Sequence, residues 1–135
     1  MQVHIGSEAD NHVAIRVLGK PESRDAWEFV NAEIDVQAGF WRGTYRASLQ
    51  ATDFPPFRQQ LQAIYDWKGN SAAFTTIEGW LTLNLTADRL GHVHLDGTAT
   101  DYPGTGNTLT FHLDLDQSYL PQIIAELESI EQALA

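Results

Sequence analysis

One pattern recurs along this chain and constrains its fold more than any other: apolar and polar residues alternate with a period of two. Between Asn31 and Gln37 the apolar positions are Ala32, Ile34 and Val36. Between Trp41 and Gln50 they are Trp41, Tyr45, Ala47 and Leu49, set against Arg42, Thr44, Arg46, Ser48 and Gln50. The pattern returns at Leu81, Leu83 and Leu85, at Val93, Leu95 and Ala99, and at Leu109, Phe111, Leu113 and Leu115. An extended chain turns successive side chains to opposite faces, so each segment predicts a strand with one dry and one wet face. Val3–Ile5 and His12–Leu18 read as strands too. Ala38-Gly39 leaves room only for a tight hairpin and Asp101–Asn107 for a longer one, and short connections favour antiparallel neighbours.

Two stretches change period. After the capping pair Thr52-Asp53, Phe57, Leu61, Ile64 and Tyr65 fall at helical spacing, with Pro55 and Pro56 tolerable in the first turn. A second helix opens at Ser118 and carries Leu120, Ile123, Ile124, Leu127, Ile130 and Leu134 on one stripe, with Pro121 in its first turn. The fold class expected is α+β, one domain over residues 1–135. It is expected to hold a single antiparallel β-sheet of about six to eight strands with two amphipathic helices packed on one face. No internal repeat, low-complexity tract or domain linker is visible, and Gly19–Asp25 reads as a surface loop.

Composition narrows the function. With 43% hydrophobic and 19% charged residues the chain is globular rather than disordered. The absence of cysteine removes disulfides, thiolate metal sites and cysteine nucleophiles. Eight Lys and Arg against eighteen Asp and Glu give a net charge of −10, which argues against nucleic acid and anionic membranes as partners. MQVHIGSEAD lacks the basic-then-apolar pattern of a leader, and no apolar run approaches the ~18 residues of a membrane span, so a soluble, cytoplasmic protein is expected. The charge is also uneven. From Leu90 to Ala135 there is no Lys or Arg, but there are Asp96, Asp101, Asp114, Asp116, Glu126, Glu128 and Glu131.

The sharpest chemical cluster is His92-Val93-His94-Leu95-Asp96, which puts two imidazoles and a carboxylate on one strand face. If the last hairpin pairs so that His92 faces Asp116, then His94 faces Asp114 and Asp96 faces His112. Imidazole and carboxylate suit zinc, iron or manganese, so His92, His94 and His112 are the metal ligands to weigh. The default reading is a ladder of polar cross-strand pairs, because opposed pairs spread along the strand rather than converging on one point. No G-x-S-x-G precedes a helix, and Gly104-Thr105-Gly106 joins two strands rather than opening a helix, so its glycines are expected to supply positive φ to a long hairpin loop. No catalytic residue and no cofactor are indicated. Trp27, Trp41, Trp67 and Trp80 are expected to pack at the core or its rim, with Trp67 ending the first helix. Arg42 and Arg46 are expected to pair with Glu33 or Asp35 on the neighbouring strand.

A set of residues also resembles a known family. Glu78-Gly79-Trp80-Leu81, Gly91-His92, Gly97, Asp101, Pro103-Gly104, Gly106-Asn107, Leu109, Phe111, Asp116-Gln117 and Tyr119-Leu120-Pro121 are similar to the WapI-type immunity proteins of bacteria. The likeness runs from about Trp27 to the end and is densest from residue 78 to 121. It implies a small cytoplasmic protein that neutralises a toxin passed between competing bacteria, the namesake toxin being a nuclease. It implies no catalytic residues and supplies no contact residues.

The expectation is therefore a non-enzymatic binding protein that docks electrostatically on a basic toxin. Asp101, Tyr102, Asp116, Glu126, Glu128 and Glu131 are its expected contact residues, with Tyr102 as a loop aromatic anchor. A metal-binding protein or hydrolase using the His/Asp cluster is the alternative. A structural module is a third reading, in which an exposed sheet edge or polar face pairs with a second copy as a homodimer.

Overall fold

The computed structural model describes residues 1–7, 10–19 and 29–135. Four strands come first: β1 (Gln2–Gly6), β2 (His12–Gly19), β3 (Phe29–Ala38) and β4 (Trp41–Gln50). A 3₁₀ turn over Ala51–Asp53 leads into α1 (Phe54–Tyr65). The same sequence of elements then repeats as β5 (Ser71–Thr75), β6 (Leu81–Ala87), β7 (His92–Thr100) and β8 (Thr108–Asp116), a 3₁₀ turn over Gln117–Tyr119, and α2 (Leu120–Leu134). Trp27 and residues 20–25 of the expected surface loop lie outside the described residues.

The strands are antiparallel throughout, but they form two sheets, ordered β1-β2-β3-β4 and β5-β6-β7-β8. The expectation of one sheet is thus corrected. Alternation reports that each strand has one dry face, and it reads the same for one sheet of eight as for two of four. α1 separates β4 from β5 and starts the second sheet.

The expectation that no repeat exists is corrected as well. At one constant spacing, Thr52 matches Ser118, Phe54 matches Leu120, Pro55 matches Pro121, Phe57 matches Ile123, Leu61 matches Leu127 and Ile64 matches Ile130. The four apolar pairs among these are all buried. The two helix entries use related devices, with the carboxylate at the end of the turn in the first and just before it in the second. A side-chain carboxylate holds the turn (Gln50 N donates to Asp53 Oδ2 at 2.8 Å, Ser118 N to Asp116 Oδ1 at 2.8 Å), and proline occupies the first helical turn, where its missing N–H costs nothing.

The helices do not lie together on one face of one sheet. Each crosses to the other half. α1 packs beside β5, with Phe54 and Phe57 each 5.6 Å, ring centre to ring centre, from Phe74, while α2 packs beside β1. Matching polar residues seal the exchange: Ala73 N on β5 donates to Gln60 Oε1 of α1 at 2.7 Å, and His4 N on β1 donates to Glu126 Oε1 of α2 at 3.0 Å. β1 and β5 are the first, outer strands of their sheets, so these bonds satisfy backbone donors at edges that would otherwise be open. The helices also touch each other, tied by an ion pair between Arg58 and Glu131. Buried residues of both sheets and both helices form one continuous core.

The two edge bonds give a direct test. Replacing Glu126 or Gln60 by Ala leaves a backbone donor without its partner and should destabilise the protein by about 1–2 kcal/mol each, while Leu127→Ala should cost about 2–5 kcal/mol. Urea unfolding of the three variants checks this, and edge variants as stable as the wild type would show that the exchanged contacts are ornamental.

Candidate functional site

Two wet sheet faces carry the polar residues of interest. On the second sheet the register is the one expected from the sequence: His92 opposes Asp116, His94 opposes Asp114 and Asp96 opposes His112. His94 is the hub. Its Nδ1 lies 2.9 Å from Asp114 Oδ1 and its Nε2 3.1 Å from Asp96 Oδ1, while the His112 ring stacks against it at 5.9 Å. His92 turns away, with its Nδ1 3.0 Å from Asp88 Oδ2. The three histidines therefore do not converge. Among the described residues, no group of three or more His, Cys, Asp or Glu is placed to hold one metal ion.

Hydrogen bonds to Asp114 and then Asp96 favour the imidazolium and raise His94 above the usual histidine value, and the His94 bond in turn lowers Asp114. A raised pKa means stability that is fully present below the ordinary value of about 6.5 and is lost as pH climbs through the folded value. His94→Ala should therefore destabilise the protein more at about pH 5.5 than at about pH 8.5. With 44% of the His94 side chain exposed, screening keeps the effect small. Urea unfolding at both pH values measures it, and an equal loss at both would show that the ladder does not titrate as a unit.

The wet face of the first sheet is a paired network. Arg16 lies 2.9 Å from Glu33, Arg46 lies 3.8 Å from Glu33 and Arg42 lies 3.7 Å from Asp35. The pairing expected for Arg42 and Arg46 is present. His12 is the one buried polar side chain among the described residues. Its Nε2 is 2.8 Å from Asp35 Oδ2, its Nδ1 is 3.1 Å from the Asp10 carbonyl, and His4 packs on its ring at 4.8 Å. Burial pushes the Asp35 carboxyl up, but hydrogen bonds from His12 and Thr44, aided by Arg42, outweigh it and hold the group below the usual carboxylate value.

Of the expected contact residues, four are engaged within the chain. Asp101 Oδ1 accepts from Asn107 N at 2.7 Å and closes the β7–β8 loop. Asp116 caps the turn before α2, Glu126 holds the β1 edge, and Glu131 pairs with Arg58, which the carboxylate raises further above the usual arginine value. Glu128 is exposed on α2, and Tyr102 is 68% exposed at the loop tip. In that loop Gly104 has φ of +89°, as expected, but Gly106 serves differently. A side chain there would collide with the Asp101 carboxylate and the Tyr102 backbone, so glycine permits the close approach that the loop bond needs.

The tryptophans depart from expectation. Trp80 is half-buried against the core, but Trp41 and Trp67 are 70% and 61% exposed, and Trp67 follows α1 in the left-handed region at φ +58°. Phe40, beside Trp41 at the tip of the β3–β4 hairpin, is fully exposed. An aromatic directly after the turn glycine Gly39 is a legible sign of an exposed tip, which sequence reasoning passed over.

The model of the immunity protein WapI-like family matches residues 4–135. No curated protein matches the chain. A crystal structure of Trypanosoma bruciei MRP1/MRP2 is similar at 17% identity and a TM-score of 0.42, covering 99% of this chain and 79% of that one, a likeness too distant to bear on function. An immunity family implies a toxin as binding partner and a role that is generally non-enzymatic. By the match along nearly its whole length, the chain belongs to the WapI-like immunity protein family.

Proposed function

We propose that this protein is a non-enzymatic, cytoplasmic immunity protein that neutralises a cognate basic toxin of the nuclease type by electrostatic docking. One observation carries the reading beyond family membership: the last two strands and the last helix contain no Lys or Arg, while the whole chain has a net charge of −10. A nuclease cleft is built to hold phosphates and so presents positive charge to any inhibitor. An acidic face opposite it accelerates encounter and excludes nucleic acid from the same cleft. Asp96 and Asp114 on the second sheet and Glu128 on α2 are exposed and belong to this acidic half. The first sheet contrasts with it, because Arg16, Arg42 and Arg46 lie beside Glu33 and Asp35 there.

The test uses purified protein and the toxin domain that a low-salt pull-down from the native cells recovers with it. Asp96→Lys with Glu128→Lys reverses exposed charge without touching the edge bond of Glu126 or the Arg58 ion pair. At low salt the double variant should associate about 10-fold more slowly or worse, with a flatter dependence on ionic strength and only a small loss of thermal stability from the exposed Asp96–His94 contact. Stopped-flow fluorescence reads the rate. Wild-type association that is indifferent to salt, or a toxin that the protein does not bind, would contradict the reading.

A further inference from the structure

The acidic half explains attraction, but it contains few groups that could hold a partner once it arrives. Trp67, Ile77, Leu90 and Tyr102 stand exposed but scattered along the sequence, whereas two large aromatic side chains stand exposed next to each other at one turn. Phe40 and Trp41 stand at the tip of the β3–β4 hairpin, the first fully exposed and the second 70% exposed. The turn asks for neither. Gly39, at φ +61°, takes the first central position that a II′ hairpin reserves for glycine, and the second central position accepts almost any residue. A polar residue at Phe40 would serve the fold equally well.

The tip is also held in place. Gly39 N donates to Asn11 Oδ1 at 2.8 Å, which ties it to the β1–β2 connection, and Trp41 pairs with Ala38 across the hairpin. Anchors fixed before binding lose less freedom on association than mobile ones. On one side of Trp41 runs a groove of about 530 Å³ along β8, lined by Phe111 and Leu113 together with Asp10, Asp114 and Tyr119. On its other side lies a smaller cleft of about 220 Å³, shared with Asp101 and Asn107 at the base of the loop that carries Tyr102. Among the described residues, the charged ones lining the β8 groove are Asp10 and Asp114, and those lining the smaller cleft are Asp101 and Arg42, which lies 3.7 Å from Asp35.

We infer that the Phe40–Trp41 tip is the anchor of the toxin interface, inserting into an apolar pocket of a basic protein whose Lys or Arg side chains settle along the β8 groove beside Asp10 and Asp114. The inference rests on the immunity reading and deepens it. Charge complementarity favours a basic protein over a second copy of this chain, since a copy would bring its own excess of carboxylates against the groove. The division of labour is specific: exposed carboxylates on the second sheet and α2 set the rate of encounter, and the aromatic tip sets the lifetime of the complex.

The experiment uses the same toxin domain, with Phe40→Ser/Trp41→Ser as the main variant and Phe40→Asp as a second that leaves β4 untouched. Circular dichroism and thermal melting check the fold. Surface plasmon resonance should show dissociation about 100-fold faster or more for the double variant, with association changed by less than about threefold. A photoreactive phenylalanine at position 40 should crosslink to the toxin. If wild type and both variants dissociate alike, the anchor is elsewhere and the inference fails while the immunity reading stands. If the wild type does not bind the toxin domain, both fail together. Gel filtration that shows a stable dimer lost on Phe40→Asp would overturn the inference in favour of a second copy as the occupant.

Discussion

Everything in this molecule depends on the exchange of helices between its two halves. A four-stranded antiparallel sheet with one dry face cannot stand alone in water, and a single amphipathic helix folded back on its own sheet would leave an outer strand open. Here α1 lies beside β5 and α2 beside β1, so each half covers the other. Gln60 and Glu126, equivalent in the repeat, each accept a backbone N–H from the strand they cover. The arrangement leaves β4 and β8 as the remaining sheet edges, and the hairpin tip and the β8 groove lie beside them.

That constraint decides which acidic residues are free. Glu126, Glu128 and Glu131 share one helix, but Glu126 closes a sheet edge and Glu131 ties the two helices through Arg58. Asp101 and Asp116 shape a loop and a helix entry. What remains for a partner is Glu128, Tyr102 and the exposed aspartates of the second sheet, together with the aromatic tip. A surface with charge on one part and rigid aromatic side chains on another separates the forces that bring partners together from those that keep them there.

Much of the local structure was legible in the sequence. Alternation located the strands, and helical spacing with proline in the first turn located both helices. Parity put the His and Asp residues of the last hairpin on one face, and the one register supposed among those parity allows, with His92/Asp116, His94/Asp114 and Asp96/His112 paired, is the one present. The division into two sheets was not legible, because alternation carries no information about which strand neighbours which. The repeat escaped notice because it survives only at the helix entries and in the stripe from Phe54 to Ile64 and from Leu120 to Ile130, while the strands share pattern rather than residues. The jobs of Glu126, Glu131 and Asp101 depend on partners set by tertiary packing. His12 was hidden within an apolar strand, and only Ala14, apolar on the same face, marks that the start of β2 is covered on both faces while Arg16 beyond it is exposed.

The account stands or falls on where a toxin touches. Hydrogen exchange of the purified protein, alone and saturated with its toxin domain, maps the contact along the backbone. Slower exchange confined to the β3–β4 turn, the Asp101–Asn107 loop and β8 is the result predicted. Protection centred on residues 12–17 and 31–36, with the turn and β8 unchanged, would contradict it.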